Sequence, residues 1–286
     1  MQSDNDKTLY VTDMDGTLLG PDSRVDKESA AIISDLTRHG ALVTVATART
    51  PATVEPLLAH TATALPAIVM TGAAVWLRDL RRYDDVCCLA PEVCDAIGGL
   101  FRSHNVEPFI YTVGDDGILE VFRNGTLSAK DRRFVDERAR LGLKRFCFDD
   151  IRASGCVMPN TVLYFAMGPL DRINCLAADL EATGCCAVSC YVDIFGNDTG
   201  ILEVFAPGVS KAAAIGRLRH RVGAGRLVVF GDNLNDLPMM AMADVAVAVE
   251  NAVPQVKEAA DVIIGPNARP SVAQFIYTDY NGLHAQ

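Results

Sequence analysis

Apolar and polar positions change rhythm twice along the chain. From the N-terminal side, short apolar runs alternate with segments of helical spacing: Thr8–Thr12, a helix over Lys27–His39, Ala41–Ala46, a helix from Pro51, then Ala67–Met70. The alternation returns late, with a helix over Ser210–Arg221, a run at Leu227–Phe230 and a helix over Asn235–Met242. Runs at Val245–Val249 and Val262–Ile264 follow, with a helix between them and a last helix from Pro270. Such alternation predicts parallel strands joined by crossover helices. The two ends read as one interrupted α/β domain, a Rossmann-like doubly wound parallel sheet.

The texture differs between Arg82 and Asp198, where helices such as Pro91–His104 and Leu170–Thr183 mix with paired strand-like runs. Phe109–Val113 and Ile118–Phe122, joined by Gly-Asp-Asp-Gly, predict a hairpin. The expected organisation is a core of residues 1–81 and 199–286 with an inserted α+β cap domain at 82–198. The joins near Arg82 and Gly196–Gly200 read as hinges, the second because its glycines absorb backbone rotation. Trp76 falls in a hairpin leading into the insert and reads as packing, with ligand stacking as the alternative.

Composition narrows the classes. The 286 residues are 50% hydrophobic and 22% charged, enough apolar content for one large domain or two smaller ones. Net charge is −10 and the basic residues form no run, which argues against a nucleic-acid surface. No stretch approaches the roughly 18 apolar residues of a membrane span, and the first ten residues lack the apolar core of a signal peptide. The expected location is cytoplasmic. All nine cysteines lie between Cys87 and Cys190. Zinc-type spacing is missing, so Cys185, Cys186 and Cys190 read as small buried hydrophobes rather than a soft-metal site.

The chemistry gathers around Val-Thr-Asp-Met-Asp-Gly-Thr-Leu-Leu at residues 11–19. Asp is disfavoured inside strands, so Asp13 and Asp15 belong at the end of the first one, where open α/β sheets place their ligand crevice. In extended chain the two carboxylates face one side, and close carboxylates demand a cation, a proton or both. Other strand ends supply partners: Thr47 and Arg49 after the second, Thr71 and Gly72 after the third. Asp232, Asn235 and Asp236 follow the strand at Leu227, and Lys211 opens the helix before it. Four carboxylates and an Asn form a hard-oxygen set suited to Mg2+. With a threonine, a lysine and backbone N–H groups for phosphate oxygens, the set points to phosphoryl transfer.

Asp13–Thr17, Thr47, Lys211 and Gly231–Asp236, in that order, resemble the four motifs of the haloacid dehalogenase superfamily of phosphatases. Leu202–Lys211 and the long insert between the second and third motifs are similar to the Cof-type, sugar-phosphate-hydrolysing subfamily. The resemblance covers the two ends; the insert matches in length and position. It departs at Ala48, where the family often has Gly, and at Thr71, where it often has Asn.

The resemblance implies that Asp13 attacks phosphorus and that Asp15 first gives and then takes a proton. It implies magnesium held by Asp13, the Asp15 carbonyl and Asp232, with Asn235 and Asp236 shaping the shell. Thr47 and Lys211 would hold phosphoryl oxygens, and Gly16 would permit the turn that keeps Asp15 close. Arg49 divides between a phosphate contact and a structural ion pair. Asn235 reads as a helix cap as well as a metal-site residue. Tyr191, Asp193, Asn197 and Asp198 divide between sugar contacts and a solvated turn. The expected partner is a small phosphorylated metabolite, most plausibly a hexose or pentose phosphate. A sugar phosphomutase is the nearest alternative. A phospho-acceptor binding module is another, against which Asp15 argues, because it can activate hydrolysing water.

Overall fold

The computed structural model describes residues 7–114, 116–149, 160–192 and 198–284. The chain divides into two compact units, Met1–Asp84 with Ser210–Gln286, and Asp85–Val209.

The first unit is built on five parallel strands, in the spatial order Val262–Ile264, Val245–Val249, Arg226–Gly231, Thr8–Thr12, Leu42–Val45. Leu9, Val11, Leu227, Val229 and Val247 are fully buried, because helices cover both faces of a parallel sheet and leave no polar face to the strands. Thr12 pairs with Phe230 and with Val45, which brings three strand ends to one edge. Helix Lys27–Arg38 starts at Asp26, whose carboxylate accepts from the N–H groups of Glu28 and Ser29. It packs beside the closing helix Ser271–His284. Asp279 of that helix accepts from the Tyr10 hydroxyl at 2.8 Å and takes both Arg226 nitrogens, tying the helix to two central strands.

Ala67–Val69 does not continue the parallel sheet as its apolar run suggested. It meets the second strand through a single bridge, Ala46 to Ile68, and pairs antiparallel with Ala74–Leu77 in a sheet completed by Arg82–Asp84. A left-handed turn reverses the chain between them, with φ of 50° at Met70, 57° at Thr71 and 94° at Gly72. Trp76 is buried there, donating to Glu55 at 2.6 Å and lying edge-on to Tyr83, so it is packing.

The second unit is a six-stranded sheet in the order Ala187–Val192, Thr199–Phe205, Thr161–Pro169, Phe109–Val113, Leu119–Arg123, Lys144–Phe148. All neighbours are antiparallel except the last pair. Helices Pro91–Ser103 and Leu170–Thr183 bury Ile97, Phe101, Ile173 and Leu176, and Phe101 stacks on Tyr164 of the sheet. The hairpin at Gly114–Gly117 is present. Together the units give an α/β fold with a parallel-sheet core and an inserted cap.

The units divide at other residues than 81 and 199. Arg82–Asp84 completes the small sheet of the first unit, while Thr199–Phe205 pairs along the whole of Thr161–Pro169 in the second. Ladder pairing decides this, and glycine content near 196–200 does not report it. Asp193, Gly196 and Asn197 lie outside the described residues. Asp198 and Tyr191 are exposed. Of the eight described cysteines only Cys94 is fully buried, so the reading of Cys185, Cys186 and Cys190 as buried hydrophobes is corrected: all three keep partial exposure. No helix among the described residues is long and apolar enough to cross a membrane.

Thr71 carries a strain that invites a test. A β-branched side chain in the left-handed region costs about 1–2 kcal/mol, whereas Asn tolerates it. Thr71→Asn is expected to raise the unfolding free energy in urea by about 1 kcal/mol; unchanged or lower stability would show that the threonine makes compensating contacts.

Candidate active site

The first strand ends at Thr12, and the Asp13 N–H still donates to Phe230 O at 3.0 Å, so Asp13 is held by the sheet rather than by a loop. Its side chain is buried, 8% exposed, and Oδ1 accepts from Lys211 Nζ at 2.5 Å. The same ammonium donates to Asp236 Oδ1 at 2.8 Å. Lys211 is the first residue of a helix capped by Ser210, whose hydroxyl accepts from the Ala213 N–H. That cap fixes where the lysine enters.

Asp236 is fully buried, and its other oxygen accepts from the N–H groups of Asp232 and Asn233 at 3.0 and 3.1 Å. Both oxygens are thus engaged with donors, which makes Asp236 a brace for the loop and for Lys211. Asn233, not Asn235, caps the short turn Leu234–Asp236; Asn235 stands exposed on it. Asp232 Oδ1 accepts from the Thr17 hydroxyl at 2.9 Å. One carboxylate oxygen from each of Asp13, Asp232 and Asp236 lies within 4.8 Å of the others, the one such group among the described residues.

Asp15 is not part of that group. After Asp13 the chain leaves extended geometry, and Gly16 turns with φ of 80°. A Cβ on Gly16 would stand 2.3 Å from Asp232 Oδ2, so only glycine lets this loop meet the Asp232 loop. Helical geometry at Met14 separates Asp15 from Asp13, and Asp15 stands half-exposed where Arg49 takes both carboxylate oxygens, Nε at 2.6 Å and Nη2 at 2.5 Å. The expectation that Asp13 and Asp15 face one space from an extended strand is therefore corrected.

Thr47 is buried, and its hydroxyl oxygen accepts from the Arg49 N–H at 3.2 Å, leaving the hydroxyl proton free to donate. Thr47 O accepts from the Thr71 N–H at 3.0 Å. A Cβ on Gly72 would meet Ser210 O at 2.3 Å, so the left-handed turn packs directly on the cap of the Lys211 helix. Thr47, Thr71, Gly72 and Lys211 are in this way one connected wall.

Sequence reasoning missed Asn251 and Asn267. Asn251 Nδ2 donates to Gly16 O at 2.8 Å, its Oδ1 accepts from the Asn267 N–H, and Asn267 Nδ2 donates to Leu19 O. The pair clamps Gly16 and Leu19, the segment that directly follows Asp15. A signal was present, since Asn251 lies two residues beyond Val249, another parallel strand end.

Burial pushes the Asp13 carboxyl up to about 7, against the pull of Lys211 and with the push of Asp236. Burial, then Asp236, raise Asp232 to about 6. Burial works against the charge of Lys211, but Asp13 and Asp236 outweigh it and hold the ammonium protonated. One cation shared by two carboxylates neutralises neither, and the cluster of three keeps a net negative charge in a low-dielectric place. The donor set is hard oxygen, which suits a small divalent cation and not a soft one.

Residues 10–276 match the haloacid dehalogenase-like hydrolases. The chain belongs to that family, and within it to the Cof-type phosphatases. It is 27% identical to the 5-amino-6-(5-phospho-D-ribitylamino)uracil phosphatase of Bacillus subtilis, over 96% of each chain. It is 25% identical to the HMP-PP phosphatase of Serratia proteamaculans, over 94% of this chain and 93% of that one. A solved haloacid dehalogenase-like hydrolase from Bacteroides thetaiotaomicron shares the fold, with a TM-score of 0.74 and 20% identity over 96% of this chain and 99% of that one.

Two outcomes follow from this geometry. Asn251→Ala removes the donor to Gly16 O and is expected to lower kcat about 10-fold while leaving the melting temperature within a few degrees; an unchanged kcat would show that the loop holds itself. The second concerns pH. Between 3.8 and about 7 the folded Asp13 binds a proton that the unfolded chain does not, so without metal its contribution to stability falls as pH rises through that window. Thermal melting in chelator should therefore decline from pH 4 to 7 more in the wild type than in Asp13→Asn. Equal slopes would mean that Asp13 keeps an ordinary proton affinity.

Proposed function

We propose that the protein hydrolyses small phosphorylated metabolites, sugar phosphates foremost, through an aspartyl-phosphate on Asp13 with magnesium bound beside it. The observation that carries this reading is the buried Lys211 ammonium bridging Asp13 and Asp236 at the end of the first strand. It keeps one Asp13 oxygen oriented while the other remains available as a nucleophile. The two relatives named above, both phosphatases of small molecules, support the substrate class, and one of those names contains a phosphorylated ribityl group.

Asp13, the Asp15 carbonyl and Asp232 would hold the cation, with Asp236 bracing them through the N–H groups of Asp232 and Asn233. When bound, magnesium supplies positive charge that offsets the phosphoryl oxygens as a carboxylate approaches them. Asp13 attacks phosphorus and the ester P–O bond breaks. Asp15 gives its proton to the departing oxygen, which leaves as an alcohol. Lys211 and the free Thr47 hydroxyl proton stabilise the charge on the remaining phosphoryl oxygens. Asp15 then takes a proton from water as the water oxygen attacks phosphorus, and the bond to Asp13 breaks to restore the carboxylate.

Phosphate release from a panel of sugar phosphates and an aryl phosphate, with magnesium or with chelator, tests the reading. Asp13→Asn is expected to lose turnover with the fold intact, because the amide keeps the shape and lacks the anion. Asp15→Asn should lose about 10²–10⁴ in rate on alkyl esters, whose leaving oxygens need a proton. Near-normal activity in the first variant would end the covalent mechanism.

A further inference from the structure

The ion pair between Arg49 and Asp15 sits awkwardly with a passive structural role. The guanidinium occupies both carboxylate oxygens, at 2.6 and 2.5 Å, and so leaves neither oxygen free to deliver or collect a proton. The pair is also accessible, with the side chains 28% and 53% exposed, so no packing forces it together. By contrast, the Arg49 backbone is fixed on both sides. Its N–H donates to Thr47 Oγ1 and its carbonyl accepts from the Met70 N–H at 3.0 Å. The guanidinium is thus a movable group on a fixed base, next to the hydroxyl assigned to the phosphoryl oxygens.

The geometry points to Arg49 as a latch on Asp15 that the phosphoryl group of the substrate opens. This rests on the phosphatase reading. A phosphate monoester carries more charge than a carboxylate and offers more oxygens, and a guanidinium binds either in the same forked manner. Arrival of the ester draws Arg49 from Asp15 to the phosphoryl oxygens. Asp15, released as a carboxylate and open to solvent, takes up a proton from water and then gives it to the leaving oxygen as the P–O bond breaks. After phosphate departs, Asp15 returns the proton taken from the attacking water to solvent, and Arg49 comes back to hold the carboxylate again. Arg49 is accordingly a substrate contact and a positioning residue in turn, where sequence reasoning offered only a choice between a phosphate contact and an ion pair.

The test uses Arg49→Ala and Arg49→Lys, folded as judged by circular dichroism, on aryl and alkyl phosphates of graded leaving-group basicity with magnesium. The latch predicts that Arg49→Ala raises KM about 10- to 100-fold across the whole series, with kcat retaining its wild-type dependence on the leaving group. Arg49→Lys should recover part of KM, since an ammonium lacks the fork. If instead KM is unchanged and kcat falls most for the poorest leaving groups, Arg49 orients Asp15 throughout turnover and the latch is overturned.

A second readout needs no turnover. The Arg49 Nε–H resonance of the wild-type protein, assigned by its absence from Arg49→Lys, should shift when tungstate is added and should be displaced beforehand in Asp15→Asn. Tungstate that binds without moving the resonance overturns the proposal. A shifted resonance in a protein that hydrolyses no phosphate ester would keep the anion-driven release of Asp15 by Arg49 and end the phosphatase reading.

Discussion

The site depends on one buried ammonium. Lys211 lies between Asp13 and Asp236 with 2% of its side chain exposed, and each of the three would be costly to bury alone. Stripping one partner from a buried charge pair typically costs about 3–5 kcal/mol. The pairing therefore couples the end of the first strand, the start of the helix Lys211–Val222 and the turn Leu234–Asp236 into a single arrangement. Because one positive charge is divided between two acids, the cluster remains electron-rich. The same imbalance that raises the proton affinity of Asp13 and Asp232 makes the place attractive to a divalent cation.

Around that centre the backbone is brought closer than side chains permit. Gly16 meets the Asp232 carboxylate and Gly72 meets the Ser210 carbonyl, each at a distance no Cβ could occupy. Both glycines also turn with positive φ. These contacts let loops from several strand ends share a small volume, while Asn251 and Asn267 hold the segment Gly16–Leu19 that follows Asp15. Strain is accepted in the same region, where Met70 and Thr71 hold left-handed geometry between Thr47 and the lysine helix. Rigidity here favours chemistry, since hydrogen-bond donors that are already oriented cost no reorganisation when charge develops. Against this fixed wall stands the ion pair of a partly buried Arg49 and a half-exposed Asp15, which the proposed latch would open.

The sequence by itself determined the strands that carry the chemistry and the kinds of group at their ends. Buried parallel strands must be apolar throughout, so Leu9–Val11, Leu227–Phe230 and Val245–Val249 announce themselves, and an acid placed directly after such a run has to stand at a strand end. Helix starts were legible for a similar local reason, as with Asp26 and Ser210, whose side chains cap within three residues. Tertiary structure alone decided which of those groups touch. The pairing of Lys211 with Asp13 spans 198 positions, and that of Asn251 with Gly16 spans 235, separations over which local pattern has no hold. It decided that Ala67–Val69 turns back into an antiparallel sheet, because a three-residue run is apolar enough for either sheet and only its partners choose. It also decided that Asp13 is buried on a lysine while Asp15, two residues on, is exposed on an arginine. An extended chain would have put both on one side; the helical geometry that begins at Met14, between them, sends them apart.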